Sequence, residues 1–246
     1  MTEISLKAEQ IGQILGFPIT NTLLMSWIAM LVIGVFFLFG ARRLKKVPTG
    51  AQNLLEALYE GFLSFMDLVT GKRAHSEKFF PLVFTFFIFI LTSNWLGILP
   101  GLGSIGFHEL HEGEEVFVPF ARSANSDLNM TLALAVISVI ATHFYGAKTL
   151  GALKHSSKYV SLKGPIQFFV GILELVSEFA KLLSFSFRLF GNIFAGEVLL
   201  IIMGILLPFI APIPFLGLEL FVGLIQALIF ATLTLVFLEI AVSAEH

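Results

Sequence analysis

The sequence predicts an all-α, polytopic membrane protein with five crossings and one amphipathic surface helix, the last two crossings being long and strongly tilted. Three observations carry this reading. Of 246 residues, 57% are hydrophobic and only 13% charged, and the mean hydropathy of +0.91 lies far above that of soluble domains. Apolar runs of about 20 residues, the length that crosses hydrocarbon, recur along the chain. The one helical stretch with two faces, residues 49 to 71, stands between such runs.

Residues 1 to 22 read as an outer N-terminal segment. Glu3, Lys7 and Glu9 interrupt it and it has no long apolar run, so it does not form a cleavable signal peptide. Residues 23 to 41 make the first crossing, which stops at the basic cluster Arg42 to Lys46. In the surface helix, Leu54, Leu58, Phe62, Phe65 and Val69 recur at helical spacing, opposite Asn53, Glu56, Glu60 and Asp67. Lipid-surface helices usually carry a basic polar face, so this acidic one is as suited to docking on protein as to headgroups.

The second crossing spans 79 to 101, with Trp95 suited to the interface and Pro100 to the exit. The loop from 102 to 127 contains HELHEGEE, one residue short of the HExxH zinc motif. His108 and His111 stand at i, i+3, and the segment reads as a solvated acidic loop with no metal site. Residues 128 to 147 make the third crossing, with Ser126 or Asp127 placed to cap it. From Gly164 to Ile210 the chain reads as helix for about 67 Å, twice the bilayer core. It either breaks into two crossings near Gly191 and Gly196 or crosses once, tilted, over 165 to 208; the single crossing is adopted. Three prolines in 208 to 214 demand a turn, and the last crossing runs from 215 to 243. Residues 23 to 246 thus form a single membrane domain.

Charge asymmetry orients the chain. Seven of fifteen Lys and Arg lie between 42 and 78 and four between 148 and 163, whereas the 102 to 127 loop has only Arg122. By the positive-inside rule the N-terminus is outside and the C-terminus cytoplasmic. The absence of cysteine excludes disulfides and thiolate metal sites. No cofactor and no nucleic-acid partner is expected.

The chemistry resides in a few polar residues inside apolar helices. Around Arg188, a helical wheel puts Lys181, Ser184, Ser177, Glu174 and Asn192 within 40° on one stripe, while Glu197 falls at 180°. Glu219 and Gln226 share a face of the last helix. Blander roles exist for several of these groups. Lys181 can snorkel, Glu197 or Glu219 can pair structurally with Arg188, and Glu174, Glu178, His143 and Glu239 can sit near helix ends or interfaces. Arg188 is harder to dismiss, because an arginine at mid-membrane costs about 3 kcal/mol or more. Guanidinium keeps its proton above pH 12 and cannot relay it, whereas carboxylates can. Glu197 lies about 13 Å beyond Arg188 along the helix, and Glu174 and Ser177 lie on the other side. One polar cluster on each side of a fixed positive charge is the layout of two half-channels separated by a barrier.

The segment LLSFSFRLFGNIFAGE, with LELVS upstream and LIQALIFATLTLVFL downstream, resembles subunit a of the F-type ATP synthases of bacteria. SNWLGILPG and SANSDLNMTLALA add to the resemblance, which covers roughly residues 80 to 243. It implies a stator of a rotary motor in the inner (plasma) membrane, not an enzyme by itself. It further implies Arg188 as the essential arginine facing a ring of proteolipid c subunits, with Asn192 and Gln226 as polar neighbours. Glu197 and Glu219 would belong to the outer half-channel, and Glu174 and Ser177 to the inner side. The implied partners are the c-ring, the subunit b peripheral stalk, the F1 sector through the complex, and membrane lipid. Many bacterial members have histidine where this chain has Glu219, which makes its outer channel more acidic. The alternative is a proton-coupled secondary transporter, but the two related halves it should show are missing.

Overall fold

A computed structural model describes residues 8–14, 16–41, 45, 50–99, 101, 105–111, 114–151, 159, 164–208, 210 and 212–243. Six α-helices dominate it: α1 (Asn21–Ala41), α2 (Ala51–Thr70), α3 (Arg73–Ile98), α4 (Leu128–Leu150), α5 (Pro165–Leu206) and α6 (Pro212–Ser243). All but α2 are long and apolar enough to cross a membrane. The chain is therefore a multi-pass membrane protein.

Local chemistry sets the helix limits. Asp127 caps α4, its carboxylate accepting from the Asn129 backbone N–H at 2.9 Å. Gly71 ends α2 in the left-handed conformation, φ 65°, where a side chain would be strained. α3 begins six residues before its apolar run because its charged first turn has partners. The Arg73 guanidinium donates to Glu60 at 2.9 Å and to Asp67 at 2.8 Å, and His75 meets Glu239. Pro81 lies inside α3 without ending it. The turn before α6 is shorter than the prolines suggest, since Pro212 and Pro214 fall within its first helical turn. The N–H groups there lack intrahelical partners anyway, so proline removes nothing.

α5 is continuous for 42 residues. At 1.5 Å per residue it is about 63 Å long, so it crosses a ~30 Å core only by tilting or by running on beyond it. Glycines 191 and 196 do not break it, since single glycines only weaken an apolar helix held by packing.

α3 and α6 form the centre of the bundle. One core cluster joins Phe86 and Ile90 of α3, Leu134 of α4, Phe185 and Leu189 of α5 and Phe230 of α6. A second joins Phe62 and Met66 of α2 to Phe79, Val83, Leu235 and Leu238. The amphipathic α2 thus docks on protein. Its buried face is Phe62, Leu63 and Met66, while Leu54 and Leu58 of the expected stripe are exposed. Hydroxyl pairs fasten α4 to its neighbours: Ser138 with Thr234 at 2.9 Å and Thr131 with Ser186 at 3.1 Å. Such intramembrane hydrogen bonds contribute about 0.6 kcal/mol each.

Two small hairpins were not foreseen in the sequence. Gln10–Ile14 pairs with Phe17–Thr20, and Gly106–His111 with Glu114–Pro119. The Asn21 side chain joins them, donating to the Glu9 carboxylate at 3.2 Å and to the Pro119 carbonyl at 3.3 Å. The side chains of residues 108 to 116 lie outside the described part, and so does Pro100. The solvation expected of residues 108 to 115 therefore falls outside the described side chains, while the last third of the loop from 102 to 127 folds inward. Arg122, Ser123, Ala124, Asn125 and Ser126 are all buried.

Candidate functional site

α5 and α6 carry polar groups at three levels. Near the midpoint of α5, Arg188 projects from an exposed face and its Nη2 donates to Ser184 Oγ, one turn back, at 3.2 Å. Asn192, one turn on, is exposed on the same side. The opposite side of α5, with Phe185, Ser186, Leu189, Ile193 and Gly196, is buried in the bundle. Gln226 reaches this level from α6: it is buried and shares a small recess with Arg188, Leu189 and Ile229. Arginine and glutamine come together here, while asparagine lies on the exposed face beside them.

At the hairpin end of the bundle a cavity of about 290 Å³ is lined by Glu9, Asn94, Arg122, Ser123, Glu197 and Glu219, among others. Glu197, turned away from Arg188 as its position on the wheel requires, meets Arg122. The guanidinium Nε donates to both carboxylate oxygens, at 3.0 and 3.2 Å. Glu219 is 5% exposed and lies against Gly196, where any side chain would collide with its carboxyl group. Neither Glu197 nor Glu219 pairs with Arg188 among the described residues.

Asn94 braces this wall. It donates to the Gly223 carbonyl at 3.0 Å and accepts from Asn125 Nδ2 at 2.8 Å, so α3, α6 and the inward-folded loop are fixed together. Trp95 adds a bond to the Leu220 carbonyl at 3.1 Å. Instead of anchoring only at an interface, its indole N–H joins two helices.

The third level lies at the other end of α5. Glu174, Glu178 and Lys181 border a cavity of about 30 Å³ together with Thr142, His143 and Tyr159. Lys181 Nζ bonds Glu178 at 2.8 Å and lies 4.8 Å from the Phe237 ring centre, so it is held in the cluster. His143 Nε2 is 3.7 Å from the other oxygen of Glu178. Burial, then the charges of Glu178 and Glu174, push the Tyr159 phenol well above its ordinary range, so it keeps its proton. Ser177 does not join this group: its hydroxyl is exposed and donates to the Leu173 carbonyl of its own helix at 2.9 Å.

Arg122 and Tyr159 line the two cavities without having stood out as candidates in the sequence. Arg122 did leave a signal, as the lone basic residue in an otherwise acidic loop. Tyr159 left none, because a loop residue gives no periodicity to read.

Among known proteins, the ATP synthase A chain family matches residues 23–239. The chain belongs to this family. ATP synthase subunit a of Gloeobacter violaceus is 36% identical over 217 residues, 87% of this chain and 80% of that protein. Its counterpart in Syntrophobacter fumaroxidans is 35% identical over 226 residues, 90% of this chain and 84% of the relative. The protein of the same name in Campylobacter fetus is 35% identical over 210 residues, 83% of each. Membership of the family extends through α1, well before residue 80, where the recognisable motifs begin.

Proposed function

We propose that this chain is the membrane stator of an F-type ATP synthase, supplying two offset proton half-channels and the arginine that couples proton flow to rotation of a ring of c subunits. The observation that carries the reading is the placement of Arg188: a permanent cation on an exposed face, midway along an apolar helix, with a polar cavity toward each end. Such a charge is expensive in lipid, so a partner with a carboxylate is the economical reason to keep it. The names of the bacterial relatives support the same assembly.

In this mechanism a ring carboxylate is neutral while it faces lipid and ionised while it passes Arg188. At an effective dielectric of 20 and a separation of 4 Å, that ion pair gains about 4 kcal/mol, enough to release the proton into one half-channel. The other half-channel reprotonates the carboxylate after it moves on. Each charge driven through 100 mV contributes about 2.3 kcal/mol to rotation. Glu197 and Glu219 serve the outer path, Glu174 the inner one, and Gln226 and Asn192 flank the arginine. The exposed position of Ser177 favours a place on the rotor-facing surface over one in the inner cavity.

The basic loops orient the hairpin end outward and the C-terminus into the cytoplasm of a bacterial cell, across its plasma membrane. The chain itself catalyses no bond-making step; ATP chemistry belongs to the F1 sector, reached through the complex and the subunit b stalk. Arg188→Ala in vesicles should abolish ATP-driven pumping while passive proton leak survives or rises. Retained pumping rejects the reading. Glu219→Gln should slow flow in both directions, and an unchanged rate removes Glu219 from the path.

A further inference from the structure

We propose that Arg122 is a positioning residue that keeps Glu197 in a standing ion pair and so leaves Glu219 as the proton carrier of the cavity they share. This deepens the reading of α5 and α6 as a proton path and rests on it. The Arg122 side chain is 7% exposed and that of Glu197 30%. Both oxygens of Glu197 are engaged by the guanidinium Nε, whose plane is further held 5.8 Å from the Phe194 ring centre. A guanidinium stays charged at any working pH, so a counter-charge always faces Glu197.

The other polar groups on this cavity are committed elsewhere. Glu9 accepts from Asn21, and both ends of the Asn94 amide are used by Gly223 and Asn125. Glu219 alone differs, making no hydrogen bond or ion pair among the described residues while facing Glu197, Arg122 and Glu9 across the cavity. A carboxyl group in that position takes a proton from the outer aqueous phase to become the neutral acid. It then returns to the anion by passing that proton to the next carboxylate. The contact between Arg122 and Glu197 stays in place throughout. Two carboxylates sharing a site without a counter-charge would compete for one proton, which is the state Arg122 prevents.

The test compares Arg122→Gln, Arg122→Lys and the double variant Arg122→Gln/Glu197→Gln in vesicles carrying the assembled complex. Proton flux is measured against outer pH. Arg122→Gln should cut flux about tenfold and move the midpoint of its pH profile upward by about one unit, since a lost cation disfavours the ionised carboxylates. Arg122→Lys should restore most of the flux and the original midpoint. The double variant, which removes both halves of the pair, should recover most of what the single variant loses. A double variant as impaired as Arg122→Gln, or one that fails to assemble, overturns the proposal, as does an unshifted midpoint in Arg122→Gln. Arg188→Ala tests the underlying path separately, so losing pumping there while the double variant stays dead rejects only the division of labour between the two glutamates.

Discussion

His75 Nδ1 lies 2.9 Å from Glu239 Oε2, tying the first turn of α3 to the last turns of α6 across 164 residues of sequence. Both side chains are mostly shielded, at 24% and 16% exposure. His75→Ala and Glu239→Ala should each lower the stability of the protein in detergent, and a double-mutant cycle should return a coupling of about 1 kcal/mol. Additive losses would mean the pair is only a neighbourly contact.

Asn94 should be costlier to lose than a surface residue. Asn94→Ala removes a partner from the Gly223 carbonyl in a buried wall and leaves the Asn125 amide only its longer bond to the Ile90 carbonyl, at 3.4 Å, a penalty of about 1–3 kcal/mol. Thermal unfolding in detergent should fall accordingly. A change within the scatter of ordinary surface substitutions, about 0.5 kcal/mol, would place the bracing elsewhere.

Gly196→Ala puts a methyl group where the Glu219 carboxyl lies, so the carboxyl must swing away from α5. Proton flux should drop severalfold in an assembled complex. Gly34→Ala is the control, because a methyl there meets nothing within 4 Å. Equal flux in both variants would show that the close approach of α5 and α6 is dispensable.

Tyr159 sets a pH expectation. Burial and two nearby carboxylates raise its ionisation above that of a free phenol, so the folded protein holds a proton that the unfolded chain sheds above about pH 10. Stability should therefore decline as pH rises past that point, and Tyr159→Phe should decline less steeply. Parallel unfolding curves for the two proteins between pH 9 and 12 would contradict this.

The membrane class and the five crossings were legible because apolar length is a direct consequence of hydrocarbon thickness, and nothing in tertiary packing can hide it. Arg188 stood out as a candidate for the converse reason, since a charge inside such a run is conspicuous. The Asp127 cap followed from short-range chemistry. The pairing of Arg122 with Glu197 was not legible: the partners are 75 residues apart, and only the inward fold of a loop brings them together. Nor was the buried face of α2, because Leu63 and Met66 compete with the regular stripe and the winner depends on where α3 and α6 stand. The hairpins escaped notice for want of strong alternation or a tight turn signature.

The unbroken course of α5 bears on how any gating can work. Glu178 and Glu197 ride the same rod, 19 residues and about 28 Å apart, with Arg188 between them. No joint lets the two ends of α5 move independently, so the spacing of the three residues is as fixed as marks on a ruler. In the proposed mechanism, what alternates is a partner that travels past the ruler.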